Sequence, residues 1–531
     1  MAGYKLAAAV AALAAATSAA TATATHQQQQ QQQQQHRQAY PHAVRGGGGG
    51  GARARATGES AWGSCVVSGL QPNGTGSWTF KAGVKDSTAV AWVNFMAVAD
   101  GGVPGTTGFS SLSVSTNGDY SDTVQMYGAG WCEGYVTAGQ IGDAWDNLAE
   151  GFFPYMFNTT TLPEQYQTYF ATQDSWARAN VASNSSALWT EMGGILAQGD
   201  GMAAGYAAAA PDRPVPWYGF ALFSATSDLY DVMAAYPPTE PAVAAAVARR
   251  WTAWEALETP EAFMAQVHRS THCSGLVKVA PDFSDIYLGH STWAVYTMML
   301  RIYKHYKLAL QNGAAVGREV SYSSYPGTMS SVDDWLTVYS SGLVVIETTN
   351  NIFNTSLYAA VVPQSLLAWQ RVRLASMLAR SPPAWHAVFS QYNSGTYNNA
   401  YMVVNVGAFV PGAPLAADFM WEVEQIPGLV VGGDVTRELE YGYFPSYNVP
   451  FWPVIYELSG YPAALARFGF NASDPATYAP GSPAAPMMGI QYQLAPRAKI
   501  FRRDQYLGNN IYNFFSLMRY NNYLKDPFSA G

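Results

Sequence analysis

The chain has 531 residues, 49% of them hydrophobic and 12% charged, with a net charge of −8. That apolar share supports a large packed core and excludes a disordered chain, while the acidic balance and the lack of a Lys/Arg stripe exclude a nucleic-acid footprint. The length allows two to four average domains or one large α/β unit.

At the N-terminus, Lys5 precedes an apolar, Ala-rich stretch from Leu6 to Ala16, and Ala20-Thr21-Ala22 fits a cleavage pattern of small residues. This reads as a secretory signal peptide over 1–24. Gln27 to Gln35 and Gly46 to Gly51 are low-complexity runs, so 25–57 is expected to stay outside the packed fold. No later stretch offers about 18 apolar residues in a row, so no transmembrane segment is expected. Sequons at Asn73, Asn158, Asn184, Asn354 and Asn471 suit a glycosylated, secreted or lysosomal protein.

The folded part begins near Trp62. Cys65-Val66-Val67 and Ala89 to Val93 read as strands. Helical spacing appears over Gly139 to Phe153, Gln173 to Leu196 and Ala242 to Leu257, with a Pro-rich loop at Pro211 to Pro216. From Cys273 the pattern changes. Ser274 to Val279, a turn at Pro281-Asp282 and Ile286 to His290 form a predicted hairpin. A helix is expected from about Thr292 to Tyr306 and an amphipathic one over Gln364 to Arg380. Strands are expected at Leu343 to Thr348, Tyr401 to Asn405 and Leu429 to Val431. Mixed strands and long helices predict an α+β or layered α/β fold.

Cys65, Cys132 and Cys273 are an odd set, which leaves at least one thiol free in an exported protein. If the first two pair, Cys273 is that thiol. There is no Walker loop, HExxH or CxxC motif, so no cofactor is expected. His268 and His272 stand four apart, yet no third ligand completes a metal site. Gly289-His290-Ser291-Thr292-Trp293 half-matches the G-x-S-x-G nucleophile elbow, with Trp293 where glycine is needed. A serine α/β-hydrolase using Ser291 is therefore an alternative. Cys273 itself opens a strand. Such a cysteine is either a buried core residue or a nucleophile whose own α-amine, freed by cutting the preceding peptide bond, acts as base.

The segment Cys273 to Tyr306 resembles the nucleophile region of the phospholipase B-like family. Further blocks follow in order: Ser323 to Gly327, Ser341 to Thr349, Trp369 to Arg373, Tyr392 to Asn399, Glu424 to Pro427, Pro445 to Pro450, Pro496 to Gln505 and Met518 to Pro527. The similarity is closest to the type 1 branch. It implies an αββα N-terminal-nucleophile hydrolase sandwich and a precursor that cuts itself before Cys273. The resulting chains, 58–272 and 273–531, would stay associated. It also implies an acyl hydrolase acting on glycerophospholipids, with amide hydrolysis or a silent binding protein on the same fold as alternatives.

By the same resemblance, Cys273 is the nucleophile. His290 orients the thiol or amine, and Thr292 and Trp293 wall the substrate pocket. Asn399, with Asn398 as its rival, donates to the oxyanion. Arg497, with Arg502 or Arg503 as substitutes, sits near the nucleophile as a cation. Family members continue past the Met518 block, so the C-terminal part is expected to be truncated.

Overall fold

The computed structural model describes residues 61–97, 108–270, 273–331 and 335–529. The segments read as signal peptide and low-complexity run, and also His272, lie outside the described residues.

The strands are β1 (Ala61–Ser68), β2 (Ser77–Ala82), β3 (Ala91–Met96), β4 (Ser110–Thr116), β5 (Cys273–Val279), β6 (Ile286–Thr292) and β7 (Ile302–Lys307). They continue as β8 (Glu319–Ser324), β9 (Trp335–Val338), β10 (Leu343–Thr349), β11 (Asn399–Asn405), β12 (Met420–Ile426), β13 (Leu429–Asp434) and β14 (Tyr443–Ser446). Eleven of them form one sheet in the order β13-β12-β11-β10-β9-β8-β7-β4-β3-β1-β2. A second sheet has the order β14-β5-β6. Neighbours are antiparallel except β4 and β7, which pair in parallel with Leu112 opposite Lys304. Parallel pairing needs a long connection, and here it spans everything between residues 116 and 302.

Alternation along β10 and β11 builds two cores. Leu343, Val345, Tyr401 and Val403 face helices that carry Leu374, Trp385 and Phe389. Val344, Ile346, Met402 and Val404 face Val277, Val279 and Phe444 of the small sheet. On the far side of the small sheet, Leu276 packs with Phe263, Phe501 and Phe514 from further helices. The layers therefore run helix, sheet, sheet, helix, an α+β architecture.

The helices Asp122–Val136 and Ala187–Ala209 touch backbone to backbone. A Cβ on Gly130 would lie 1.9 Å from the carbonyl oxygen of Gln198, and one on Gly201 would lie 2.0 Å from that of Tyr127. A disulfide joins Cys65 on β1 to Cys132 on the first of these helices. Cys273 is the free thiol among the described residues.

Several elements differ from the sequence reading. The run expected to be helical from Thr292 to Tyr306 holds only a 3-10 turn, Tyr296–Met298, followed by β7. Its residues Ile302, Lys304 and Tyr306 point inward, and pairing with β4 and β8 overrides the local preference of the Met/Leu run. The helix expected over Gln173 to Leu196 falls on two helices, Glu164–Ser183 and Ala187–Ala209, which break at Asn184. The Ala242 to Leu257 helix stops at Arg250, with a 3-10 turn beyond. Gln364 to Arg380 yields Ala368–Leu378, which is not amphipathic: Ala368 to Met377 are all buried. Arg371 is accommodated there by the carbonyls of Leu366 and Phe389 and by Gln425. The helices Asp122–Val136 and Trp217–Ala235 had no clear periodic signal, because they are buried on most sides.

Candidate active site

Cys273 is the first residue of β5. It lies opposite Thr292 on β6, and Gly275 lies opposite His290. Directly opposed residues share a face of a sheet, so Cys273, Gly275, His290 and Thr292 all look toward the large sheet. Gly275 keeps that space open: a Cβ there would meet the methyl end of Met402 at 2.2 Å. Ser274 and Ser291 point the other way.

Cys273 is 1% exposed. Its Sγ lies 3.9 Å from Oε2 of Glu347, a fully buried residue of β10. Thr349 donates to the other carboxylate oxygen at 3.0 Å, which turns Oε2 toward the sulfur. One donor atom each from Cys273, His290 and Glu347 lies within 4.8 Å of the others. Among the described residues this trio is the grouping of three Cys, His or acidic donors close enough to hold an ion. Its donor set is one that zinc accepts. The same geometry sets a thiol beside two side chains able to take or give a proton.

Nδ1 of His290 is 3.3 Å from the hydroxyl of Thr292. Burial, assisted by the nearby Arg301 guanidinium, pushes the imidazole down to about 4. His290 is thus neutral in weak acid. Arg301 is a cation near the thiol. Burial lowers its own pKa, while Tyr325 and Cys273 pull it back up, which puts Arg301 in electrostatic contact with the thiol. Its guanidinium is held over the rings of Tyr325 and Phe109, at 4.6 Å and 5.0 Å.

Arg497 opens the helix Pro496–Asp504. It grips the main chain of Cys273 and is also in electrostatic contact with the thiol. Its Nη1 donates to the carbonyl of Cys273 and to Ser274 Oγ at 3.0 Å. Its Nη2 donates to the carbonyl of Tyr447 and to Asn448 Oδ1, both at 2.7 Å. Burial lowers its pKa to about 10, which leaves it charged at neutral pH. The guanidinium also lies over the ring of Trp293 at 4.9 Å. Trp293 is 46% exposed, so it is not a core residue. Arg502 and Arg503 are engaged elsewhere, with Gln493 and with Asp504 and Asp526.

Asn399 is the first residue of β11, opposite Thr349, and its amide donates to the hydroxyl of Tyr401 at 2.9 Å. Asn398 donates to the carbonyl of Gly395. Ser291 is the last but one residue of β6, and its hydroxyl donates to the carbonyl of Met518 at 3.0 Å. No helix follows it, so the elbow geometry is missing and the serine reading falls. His268 lies in the helix Pro260–Ser270, where burial and Arg497 lower its pKa.

Glu347 and Arg301 were not singled out from the sequence. Glu347 had a signal: it is the one ionisable residue inside the apolar run Leu343 to Thr348. Arg301 had none, because its approach to Cys273 depends on β7 being a strand.

Comparison with known proteins places these residues in a family context. The sequence model of the Phospholipase B family matches residues 103–531. The chain is 36% identical over 415 residues to Phospholipase B-like 1 of Rattus norvegicus, covering 77% of this chain and 68% of that protein. It is 36% identical over 433 residues to Phospholipase B-like 1 of Homo sapiens, covering 80% and 71%. To Phospholipase B of Crotalus adamanteus it is 35% identical over 430 residues, covering 80% and 72%.

Proposed function

The chain belongs to the Phospholipase B family, and from that premise we propose that it is a self-cleaving cysteine hydrolase of the N-terminal-nucleophile type. The bond before Cys273 is cut, and the freed α-amine becomes the base for its own thiol. The mature enzyme removes acyl chains from glycerophospholipids, as the names of its relatives suggest. The observation that carries the reading is the position of Cys273. It opens a strand, faces His290 and Glu347, and has its carbonyl held by Arg497. The layered helix-sheet-sheet-helix architecture supports an αββα sandwich of this type.

Fragments cut there would remain joined. β4 and β7, which come from opposite sides of the cut, are neighbours in one sheet. A buried ion pair at 2.6 Å links Glu133 of the first part to Lys304 of the second. Asp228 accepts from Thr396, and Asp231 from the amide of Tyr397. Export and glycosylation belong to the same proposal. Asn73, Asn158, Asn184 and Asn471 are exposed, whereas the amide of half-buried Asn354 already donates to the carbonyl of Leu458.

The test is intact mass and N-terminal sequencing of protein secreted from a eukaryotic host, followed by assay on phosphatidylcholine vesicles. Two polypeptides, the second starting at Cys273, and release of fatty acid are expected. Cys273→Ala should stay in one piece. Cutting that survives this substitution would sink the self-cleavage reading. Normal cutting without lipid hydrolysis would instead point to an amide substrate or a silent binding role.

A further inference from the structure

Resting on the self-cleavage reading above, we propose that Glu347 is the base that activates Cys273 for the cut itself. The α-amine that serves the mature enzyme does not exist in the precursor, because its nitrogen is still part of the peptide bond. A protonated thiol is a weak nucleophile, so another group must take its proton first. Arg301 and Arg497 are cations and cannot. His290 is close, but burial and Arg301 oppose the imidazolium it would become, and its Nδ1 faces the hydroxyl of Thr292. Glu347 has the geometry: Oε2 lies 3.9 Å from Sγ, and Thr349 pins the opposite oxygen.

The step balances as follows. The thiol proton passes to Glu347 Oε2, and Sγ bonds to the carbonyl carbon of the preceding residue. The C–N bond then breaks, and the departing nitrogen takes the proton back from Glu347 as it becomes the α-amine of Cys273. A thioester remains. Water hydrolyses it, which leaves a new carboxyl terminus at residue 272 and a free thiol. Glu347 returns to its starting state. Throughout, Arg497 holds the carbonyl of Cys273, so the backbone beyond the nucleophile stays fixed while the bond before it breaks.

The experiment follows the conversion of full-length precursor by intact mass, for wild type, Cys273→Ala, Glu347→Gln and His290→Gln. Positioned acid–base groups contribute roughly 100-fold to 10,000-fold. Glu347→Gln should therefore slow the cut by about 100-fold or more while keeping the wild-type melting temperature. His290→Gln should slow it less. If Glu347→Gln does not fold, the size-matched pair Glu347→Asp and Glu347→Asn decides, since only the first retains a proton acceptor. Cutting by the Asp variant and none by the Asn variant supports the proposal. Equal rates for that pair would overturn it, as would wild-type cutting by Glu347→Gln, or a larger loss in His290→Gln than in Glu347→Gln. A Cys273→Ala protein that is still cut would instead remove the self-cleavage reading on which the role depends.

Discussion

Arg497 donates to the backbone carbonyl of Cys273, and through Asn448 and Tyr447 it ties β5 to the segment after β14. Its two terminal nitrogens are forked across four acceptors, an arrangement that suits a guanidinium and not an ammonium. Arg497→Lys should therefore behave much like Arg497→Gln. Both should reduce cutting and turnover by tenfold or more, on the order of 1.4 kcal/mol in the barrier. If Lys restores full activity, charge alone is what the site requires.

His290 should contribute no titration to the thiol in weak acid. Its pKa is pushed down to about 4 by burial, so it is neutral between pH 5 and 7. Cys273 is the free thiol of the described chain, which makes alkylation by a small reagent a direct readout. The rate should show no step near pH 6.5. Arg301→Gln should move the midpoint of alkylation upward by about one pH unit, the effect of removing one nearby cation. A step near pH 6.5 that His290→Gln abolishes would restore the imidazole as the cation.

Buried carboxylates make folding stability depend on pH. Burial raises Glu191 to about 7 and both Asp228 and Asp231 to about 6. Burial also raises Glu422 and Glu424, and the Glu424 carboxyl adds repulsion at Glu422. A carboxyl group whose folded pKa exceeds its unfolded value binds more protons when folded, so its contribution weakens as pH rises through the folded value. His290, depressed to about 4, works oppositely, but only below its unfolded value near 6.5. Between pH 8 and pH 6.5 the carboxyls of Glu191 and Glu424 titrate in the folded state. The melting temperature should therefore rise as pH is lowered across that window, and Glu422→Gln should flatten the rise. A flat or inverted profile in wild type would contradict this.

The Cys65–Cys132 disulfide closes a loop of 67 residues and anchors a helix on β1. Replacing both cysteines with serine should cost about 2–4 kcal/mol. The bond lies on the first part of the chain and touches no proposed catalytic group, so turnover per folded molecule should be unchanged. A denaturant titration beside an active-site-normalised assay separates the two effects.

Gly201→Ala tests the contact between the two buried helices. Its new Cβ would sit 2.0 Å from the carbonyl oxygen of Tyr127, which is backbone and cannot swing aside. The helices must separate, at a cost of about 1–3 kcal/mol. Gly139→Ala, where nothing lies within 4 Å, should be neutral or slightly stabilising because alanine favours helix. Equal effects would mean that helix propensity, and not close approach, governs these glycines.

The sequence alone determined what depends on neighbours in the chain. The β5–β6 hairpin was legible because strand residues flank Pro281-Asp282. The start of β5 at Cys273 and the family blocks were legible in the same way. Pairing of Cys65 with Cys132 was left open, since cysteine count cannot choose partners. Tertiary structure decided the rest. Ile302–Lys307 became a strand because β4, almost 200 residues earlier, offers it an edge. That pairing supports Arg301 at the site. Glu347 reaches Cys273 only because the small sheet stacks on the large one. His290 is neutral because those layers exclude water, and Arg497 reaches the carbonyl of Cys273 because its helix packs behind β5. Desolvation and the stacking of sheets arise between segments far apart in the chain, so no local pattern of residues encodes them.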